Sequence, residues 1–169
     1  VSLGFHIGGD CDSYYGIGTA YYFQANYPEA LKNYLAALKI HEEAGNKKRM
    51  ADSYNCIGSV YYMQANYTET LKNNFASLKI QKETGNKLGI AASYGNIGLA
   101  YEKQGKYTEA LKNHFSALKL REEMGDKHAI ADSYNNIGNA YYFQVNYPES
   151  LKNYFTSLKL REEMGDKPG

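Results

Sequence analysis

Residues 135–155 read NNIGNAYYFQVNYPESLKNYF, and the chain writes variants of this stretch three more times at a fixed interval. Ile17-Gly18, Ile57-Gly58, Ile97-Gly98 and Ile137-Gly138 recur every 40 residues. Leu-Lys-Asn keeps the same interval from Leu31, Leu71, Leu111 and Leu151, as do Gly45, Gly85, Gly125 and Gly165. Self-similarity of this length is the signature of a solenoid, in which each unit buries its apolar stripe against its neighbours. The question of function therefore moves from a catalytic pocket to a surface.

One repeat, Gly45 to Thr84, reads as a helix hairpin. Gly45 supplies a left-handed stop and Asn46 a start, and the pair recurs as Gly85-Asn86, Gly125-Asp126 and Gly165-Asp166. A first helix is expected over about 47–64 and a second over about 67–84. Asn66 with Glu69 has capping-box spacing; Asn26/Glu29 and Asn146/Glu149 repeat it, and Lys106/Glu109 breaks it. Pro28 and Pro148 fall in the first turn of the second helix, where a missing amide hydrogen is harmless. On the helical wheel Tyr54, Ile57, Gly58 and Tyr61 share the packing side of the first helix, extended by Ala51. Their counterparts Tyr14, Ile17, Gly18, Tyr21 and so on hardly vary. Gly inside a helix costs about 1 kcal/mol relative to Ala, so four copies in one register point to close approach of two backbones. The second helix is expected to bury Leu71, Asn74, Phe75, Ser77 and Leu78, with Ile80 at the margin and Lys72, Lys79 and Glu83 in water.

These residues resemble the tetratricopeptide repeat over about 11–167, with Gly138, Tyr141 and Ser157 on the family's Gly, Tyr and small-residue positions. Tyr134 stands where the family usually has Trp, and Glu42, Lys82, Glu122 and Glu162 where it has a helix-ending Pro. The longer 40-residue variety is similar to the repeats of Pins-type spindle adaptors. It is similar, less closely, to those of kinesin light chain and of bacterial sensor and peptide-pheromone receptor proteins. The implied fold is all-α: a right-handed α-solenoid of four antiparallel helix-hairpin repeats, at about 11–46, 47–86, 87–126 and 127–166, with residues 1–10 an N-terminal edge. The implied role is a protein–protein interaction scaffold, with no catalysis, cofactor or metal.

In such solenoids the first helices line a concave groove. The face opposite the packing side carries Asp12, Tyr15, Thr19, Tyr22 and Phe23 in repeat one and Asp52, Asn55, Ser59, Tyr62 and Met63 in repeat two. Repeat three offers Ala92, Gly95, Leu99, Glu102 and Lys103, and repeat four Asp132, Asn135, Asn139, Tyr142 and Phe143. This face varies between repeats while the packing side stays constant, as a surface read by a peptide or protein segment would. Drift at positions that packing does not police is the alternative. Exposed Tyr/Phe/Met pairs suit an interface, and Gly95 leaves room for a polar or bulky ligand residue. The carboxylate clamp of co-chaperone repeats is incomplete: Asn55, Asn135, Asn139 and Lys103 are present, and Tyr15 and Thr19 offer no basic partner in repeat one.

Composition narrows the alternatives. The 169 residues carry 19 basic and 18 acidic side chains, a balance that favours neither nucleic acid nor an anionic membrane. No apolar run approaches the ~18 residues needed to span a bilayer. Cys11 and Cys56 sit at different repeat positions, so two buried thiols and a reducing, cytoplasmic compartment are expected. His6, His41, His114 and His128 do not pair at metal-ligand spacing; His114 replaces Tyr34, Asn74 and Tyr154 and reads as a packed residue. Gly16-Ile-Gly18 lies inside a helix, and Glu42-Glu43, Glu122-Glu123 and Glu162-Glu163 split across helix surfaces. The sequence stops at Lys167-Pro168-Gly169, where another first helix would begin. A fragment of a longer array, or weak self-association through the C-terminal helix, is expected, and self-assembly through the solenoid ends is the runner-up role.

Overall fold

The computed structural model describes residues 7–165, with side chains from Cys11 onward. Asp166 and the terminal Lys-Pro-Gly lie outside the described residues. The elements are α1 (Ile7–Phe23), α2 (Tyr27–Glu43), α3 (Lys47–Met63), α4 (Tyr67–Glu83), α5 (Lys87–Lys103), α6 (Tyr107–Met124), α7 (Lys127–Phe143) and α8 (Tyr147–Glu163). They are four helix hairpins of the all-α solenoid class. The chain divides at Gly85–Asn86 into two compact units, α1–α4 and α5–α8. In each unit the helices pair as hairpins, and the second helix of one hairpin lies on the first helix of the next: α2 on α3, α6 on α7. α1 already starts at Ile7, inside the stretch read as an edge.

Turn chemistry sets these boundaries. Gly45, Gly85 and Gly125 hold φ of +64°, +67° and +71°, the left-handed stop that Gly adopts without a Cβ penalty. Asn46, Asn86 and Asp126 then accept from the backbone N–H of Arg49, Gly89 and Ala129 at 3.0–3.2 Å. Within each hairpin the turn is also left-handed, at Ala25, Ala65, Gly105 and Val145, and only repeat three places a Gly there. Asn66 and Asn146 cap the second helices as expected; Asn26 makes no side-chain cap bond, with Pro28 in that first turn.

The packing side of the first helices is as read. Ile57 and Ile137 are 1% and 0% exposed and belong to the two hydrophobic cores, with Ala30, Tyr34, Leu38 and Val60 in one and Ala110, Leu111, Leu118 and Ala140 in the other. Ile17 is 45% exposed because α1 has no described second helix before it. Ser77 and Ser157 donate from the second helix to the Ala51 and Ala131 carbonyls at 2.9 and 2.8 Å, tying each hairpin internally. Tyr54 and Tyr134 donate to Glu42 and Glu122 at 3.1 and 3.4 Å. The Glu that replaces the family's helix-ending Pro thus links one hairpin to the next.

Two expectations are corrected. The helical glycines do not admit a second backbone. A Cβ at Gly18, Gly98 or Gly138 would meet the ring of Tyr34, His114 or Tyr154 at 2.5–2.9 Å, and at Gly58 the Asn74 amide at 3.1 Å. Each Gly makes room for one side chain of the partner helix. The second helices also turn differently from the wheel reading. They bury Thr70, Asn73 and Gln81 along with Asn74, Ser77 and Leu78, whereas Phe75 is 45% exposed and its counterparts Leu35, Phe115 and Phe155 are exposed too. A helix gripped on two sides, as α2 is by α1 and α3 and α6 by α5 and α7, buries a wider arc than a single stripe, and small polar residues are among those buried.

Candidate functional site

In the first unit, α1 and α3 stand side by side and present the face opposite Ile17 and the buried Ile57. Tyr15, Thr19, Tyr22 and Phe23 from α1, Ser59 and Cys56 from α3 and Tyr34 from α2 line a pocket of 260 Å³. The Tyr15 and Tyr34 rings meet edge-on at 5.6 Å, and Tyr22 and Phe23 at 5.7 Å. Thr19 Oγ1 donates to the Tyr15 carbonyl at 2.9 Å and accepts from Tyr34 OH at 3.1 Å. Ser59 Oγ donates to the Asn55 carbonyl at 3.0 Å, and Tyr15 OH lies 3.1 Å from Cys56 Sγ. Burial raises the Tyr15 phenol, pushes that of Tyr34 up to about 12 and raises the Cys56 thiol, so all three stay protonated at neutral pH. The lining is neutral and holds no activated nucleophile.

Below the pocket the acidic residues of the face are matched by arginine. Arg49 pairs with Asp12 at 3.3 Å, and burial raises the Asp52 carboxyl against the opposing pull of Arg49. In the second unit Arg161 of α8 reaches Asp132 of α7 at 2.5 Å.

A second cluster lies at the turn end of each hairpin. Tyr22, Tyr62 and Tyr142 close a first helix, and Tyr27, Tyr67 and Tyr147 open the next. Their rings meet across the turn at 6.1, 5.8 and 5.7 Å. Repeat three has Glu102 in place of the first ring. Tyr107 is left to stack on Phe143 of the following hairpin, at 5.9 Å with the ring planes 11° apart. Phe23 is 83% exposed, and Met63, Tyr142 and Phe143 are about half exposed.

Several expected site residues are placed otherwise. Glu102 is buried rather than open to the face; burial raises its carboxyl, only partly opposed by Lys103, and Oε2 has no hydrogen-bond partner in the structure. Gly95 is buried, and no open space lies above it. A terminal guanidinium nitrogen of Arg121 sits 3.5 Å from where its Cβ would be, and another donates to Ser133 Oγ at 2.7 Å and the Ala129 carbonyl at 3.2 Å. Asn139 is committed, accepting from Tyr154 OH at 2.6 Å. Leu99 and Asn55 are half-buried, and Lys103 and Asn135 are exposed. Cys11 and Cys56 are half-buried rather than buried, and neither forms a disulfide. His114 is packed as read, 1% exposed against Gly98.

The sequence reading did not place Tyr34 or Cys56 in the pocket. Cys56 was legible, since Asp52, Cys56, Ser59 and Met63 follow the 4-3-4 spacing of one helix face. Tyr34 was not, because its role depends on the missing side chain at Gly18. Among the described residues no group of three His, Cys, Asp or Glu could hold a metal ion. No described helix is long and apolar enough to cross a membrane.

The family described as tetratricopeptide repeat matches this chain at residues 10–69, 49–123 and 89–163. No curated protein sequence matches it significantly. Solved structures share the fold at low identity. BtubC (BKLC) from P. vanneervenii superposes with a TM-score of 0.84 at 18% identity, over 94% of this chain and 66% of that one. A Rap protein complexed with Competence and Sporulation Factor gives 0.80 at 21%, over 91% of this chain and 43% of that one. The TPR domain of Arabidopsis FLU gives 0.66 at 19%, over 69% of this chain and 98% of that one. This chain thus spans less than two thirds of BtubC and less than half of the Rap protein.

Proposed function

The chain belongs to the tetratricopeptide repeat family, and on that premise we propose that it is a scaffold that binds a peptide or protein segment on the face of its first helices. One observation carries this reading. Met63, Tyr142 and Phe143 stay in water on helices whose Ile57 and Ile137 are sealed in the cores, and Phe23 of α1 is exposed as well. Aromatic and thioether groups are enriched at the buried centres of interfaces, and Tyr22 with Phe23 and Tyr142 with Phe143 form paired aromatic groups within each unit. The Rap protein solved with Competence and Sporulation Factor lends the reading support by analogy of fold. The 40-residue period favours the Pins and kinesin light chain variety over the 34-residue one, and the two thiols favour a reducing, cytoplasmic setting. The residues proposed for binding are Tyr15, Thr19, Tyr22, Phe23, Ser59, Tyr62 and Met63 on the first unit, and Tyr142 and Phe143 on the second. No reaction is assigned to it. Peptides selected from a random display library should lose about tenfold or more in affinity on a Tyr62→Ala/Tyr142→Ala chain that keeps its helicity. Unchanged affinity would refute the reading.

A second reading rests on α8. Leu151 and Leu158 are exposed, whereas their counterparts Leu111 and Leu118 are buried against α7. α1 exposes Tyr14 and Ile17 in the same way. A first helix from another copy could seat on α8 as α7 seats on α6, giving head-to-tail association. A sedimentation coefficient that rises with concentration, and stops rising on Leu158→Lys, would support this mode.

A further inference from the structure

The pocket between α1, α2 and α3 is built for one chemistry. Its hydroxyls at Tyr15, Thr19, Tyr34 and Ser59 and its thiol at Cys56 all have internal hydrogen-bond partners. No charged side chain lines it. What remains for a guest is mostly ring surface, with the Thr19 methyl and the single Tyr22 hydroxyl. A carboxylate placed there would lose its water without gaining a cation. Size narrows the guest further. The 260 Å³ pocket is roomier than the ~150 Å³ apolar cavity that holds a benzene, and smaller than the roughly 300–1,000 Å³ of sites for drug-sized ligands. It fits a single large side chain. Its edge-to-face ring pairs leave aromatic edges and faces for another ring to complement.

We propose that this pocket is the anchor subsite of the first unit and takes one large uncharged apolar side chain, of the phenylalanine class, from a bound peptide. The proposal rests on the peptide-binding reading above and adds which residue type the peptide must carry and where it goes. Residues that project into the pocket set that specificity. Ser59 is the narrowest, and its counterparts Leu99 and Asn139 show that the position accepts larger side chains on this helix face.

Three side-chain analogues test the pocket directly: toluene, tetramethylammonium chloride and sodium propionate, each titrated into the ¹⁵N-labelled 169-residue chain. Toluene should shift the Thr19, Cys56 and Ser59 amide resonances saturably, with half-saturation on the order of 1 mM, and the charged probes should bind about tenfold more weakly or not at all. Absence of a saturable toluene shift overturns the proposal. So does stronger binding of tetramethylammonium, which would make the rings a cation cage. A display selection on the wild-type chain, with the recovered peptides re-measured on Ser59→Phe, separates the pocket from the underlying reading. The proposal expects peptides with one indispensable Phe, Leu or Met that lose about tenfold in affinity when the introduced ring fills the pocket. Peptides that bind the first-helix face but tolerate both Ser59→Phe and loss of their apolar residue overturn the pocket's role and leave the scaffold standing. If no peptide is recovered while toluene still binds, the peptide reading falls, and the anchor role with it.

Discussion

Replacing Gly98 by Ala probes the hairpin interior most sharply. Helix propensity alone favours Ala by about 1 kcal/mol. The new methyl carbon would lie 2.5 Å from His114 Cε1 and 2.6 Å from Nδ1, where ordinary contacts begin near 3.4 Å. His114 is 1% exposed and cannot swing into water. A contact this close lies at the upper end of the about 1–3 kcal/mol that overpacking costs, which against the propensity gain leaves a net loss of about 2 kcal/mol. Gly58 provides the internal control. Its Cβ would meet only the end of the Asn74 amide, at 3.1 Å, which can rotate a few tenths of an ångström away. Gly58→Ala should therefore be neutral, or stabilising by up to about 1 kcal/mol. Thermal unfolding followed by far-UV circular dichroism should separate the two variants by roughly 4–8 °C in Tm, at 2–4 °C per kcal/mol for a chain of this size. His114→Asn alone recreates the Gly–Asn pair of repeat two, so a Gly98→Ala/His114→Asn double variant should equal it in stability or exceed it by up to about 1 kcal/mol. Equal stabilisation of both single variants, or failure of the double variant to recover, would show that these glycines do not serve to seat the facing side chain.

Acid should weaken the second unit through His114. Burial, helped by Arg121, lowers its pKa from 6.5 to about 4. The unfolded chain therefore takes up the proton first, and stability is complete above pH 6.5 and lost as pH falls from 6.5 to about 4. The loss is on the order of 3 kcal/mol. Urea unfolding across that window, compared with His114→Asn, should show a slope that the variant lacks. Val145 holds φ +63°, a region that penalises a β-branched residue. Val145→Gly, which copies Gly105 of repeat three, should raise stability by about 0.5–1 kcal/mol in a denaturant melt. Glu102→Gln should stabilise by about 1 kcal/mol at pH 7, because it removes a charge held at a desolvated site without a partner. That advantage should shrink as the wild-type carboxyl protonates in acid.

The repeat period, the hairpins and the inter-repeat caps were legible because each has a local cause. Gly45 and Asn46 stop and start a helix wherever the chain goes next, and the Ile57 register follows from 3.6 residues per turn. The second helix was less legible. Its wheel shows one apolar stripe through Leu71, Phe75 and Leu78, yet Thr70, Asn73 and Gln81 are buried along with Leu78, and Phe75 is left in water. Hydrophobicity alone does not reveal that small polar residues mark the close contacts. The helical glycines were read correctly as close approaches and wrongly as backbone ones, since the side chain that fills the space comes from position 34, 74, 114 or 154, some sixteen residues on. Glu102 and Gly95 were misread for one reason: an Arg121 that threads towards α5 and α7 and a carboxylate left desolvated depend on tertiary neighbours that no single-helix wheel contains.

The exposed Leu35 and Phe75 of the first unit, and Phe115 and Phe155 of the second, give the first-helix face a rival. Hydroxyl-radical footprinting of the chain with and without a display-selected peptide decides between them. The account predicts protection of Tyr22, Phe23, Met63, Tyr142 or Phe143, with Leu35, Phe75 and Phe115 as reactive as in the free chain. Protection of those second-helix residues, with Phe23, Met63 and Phe143 unchanged, would contradict it.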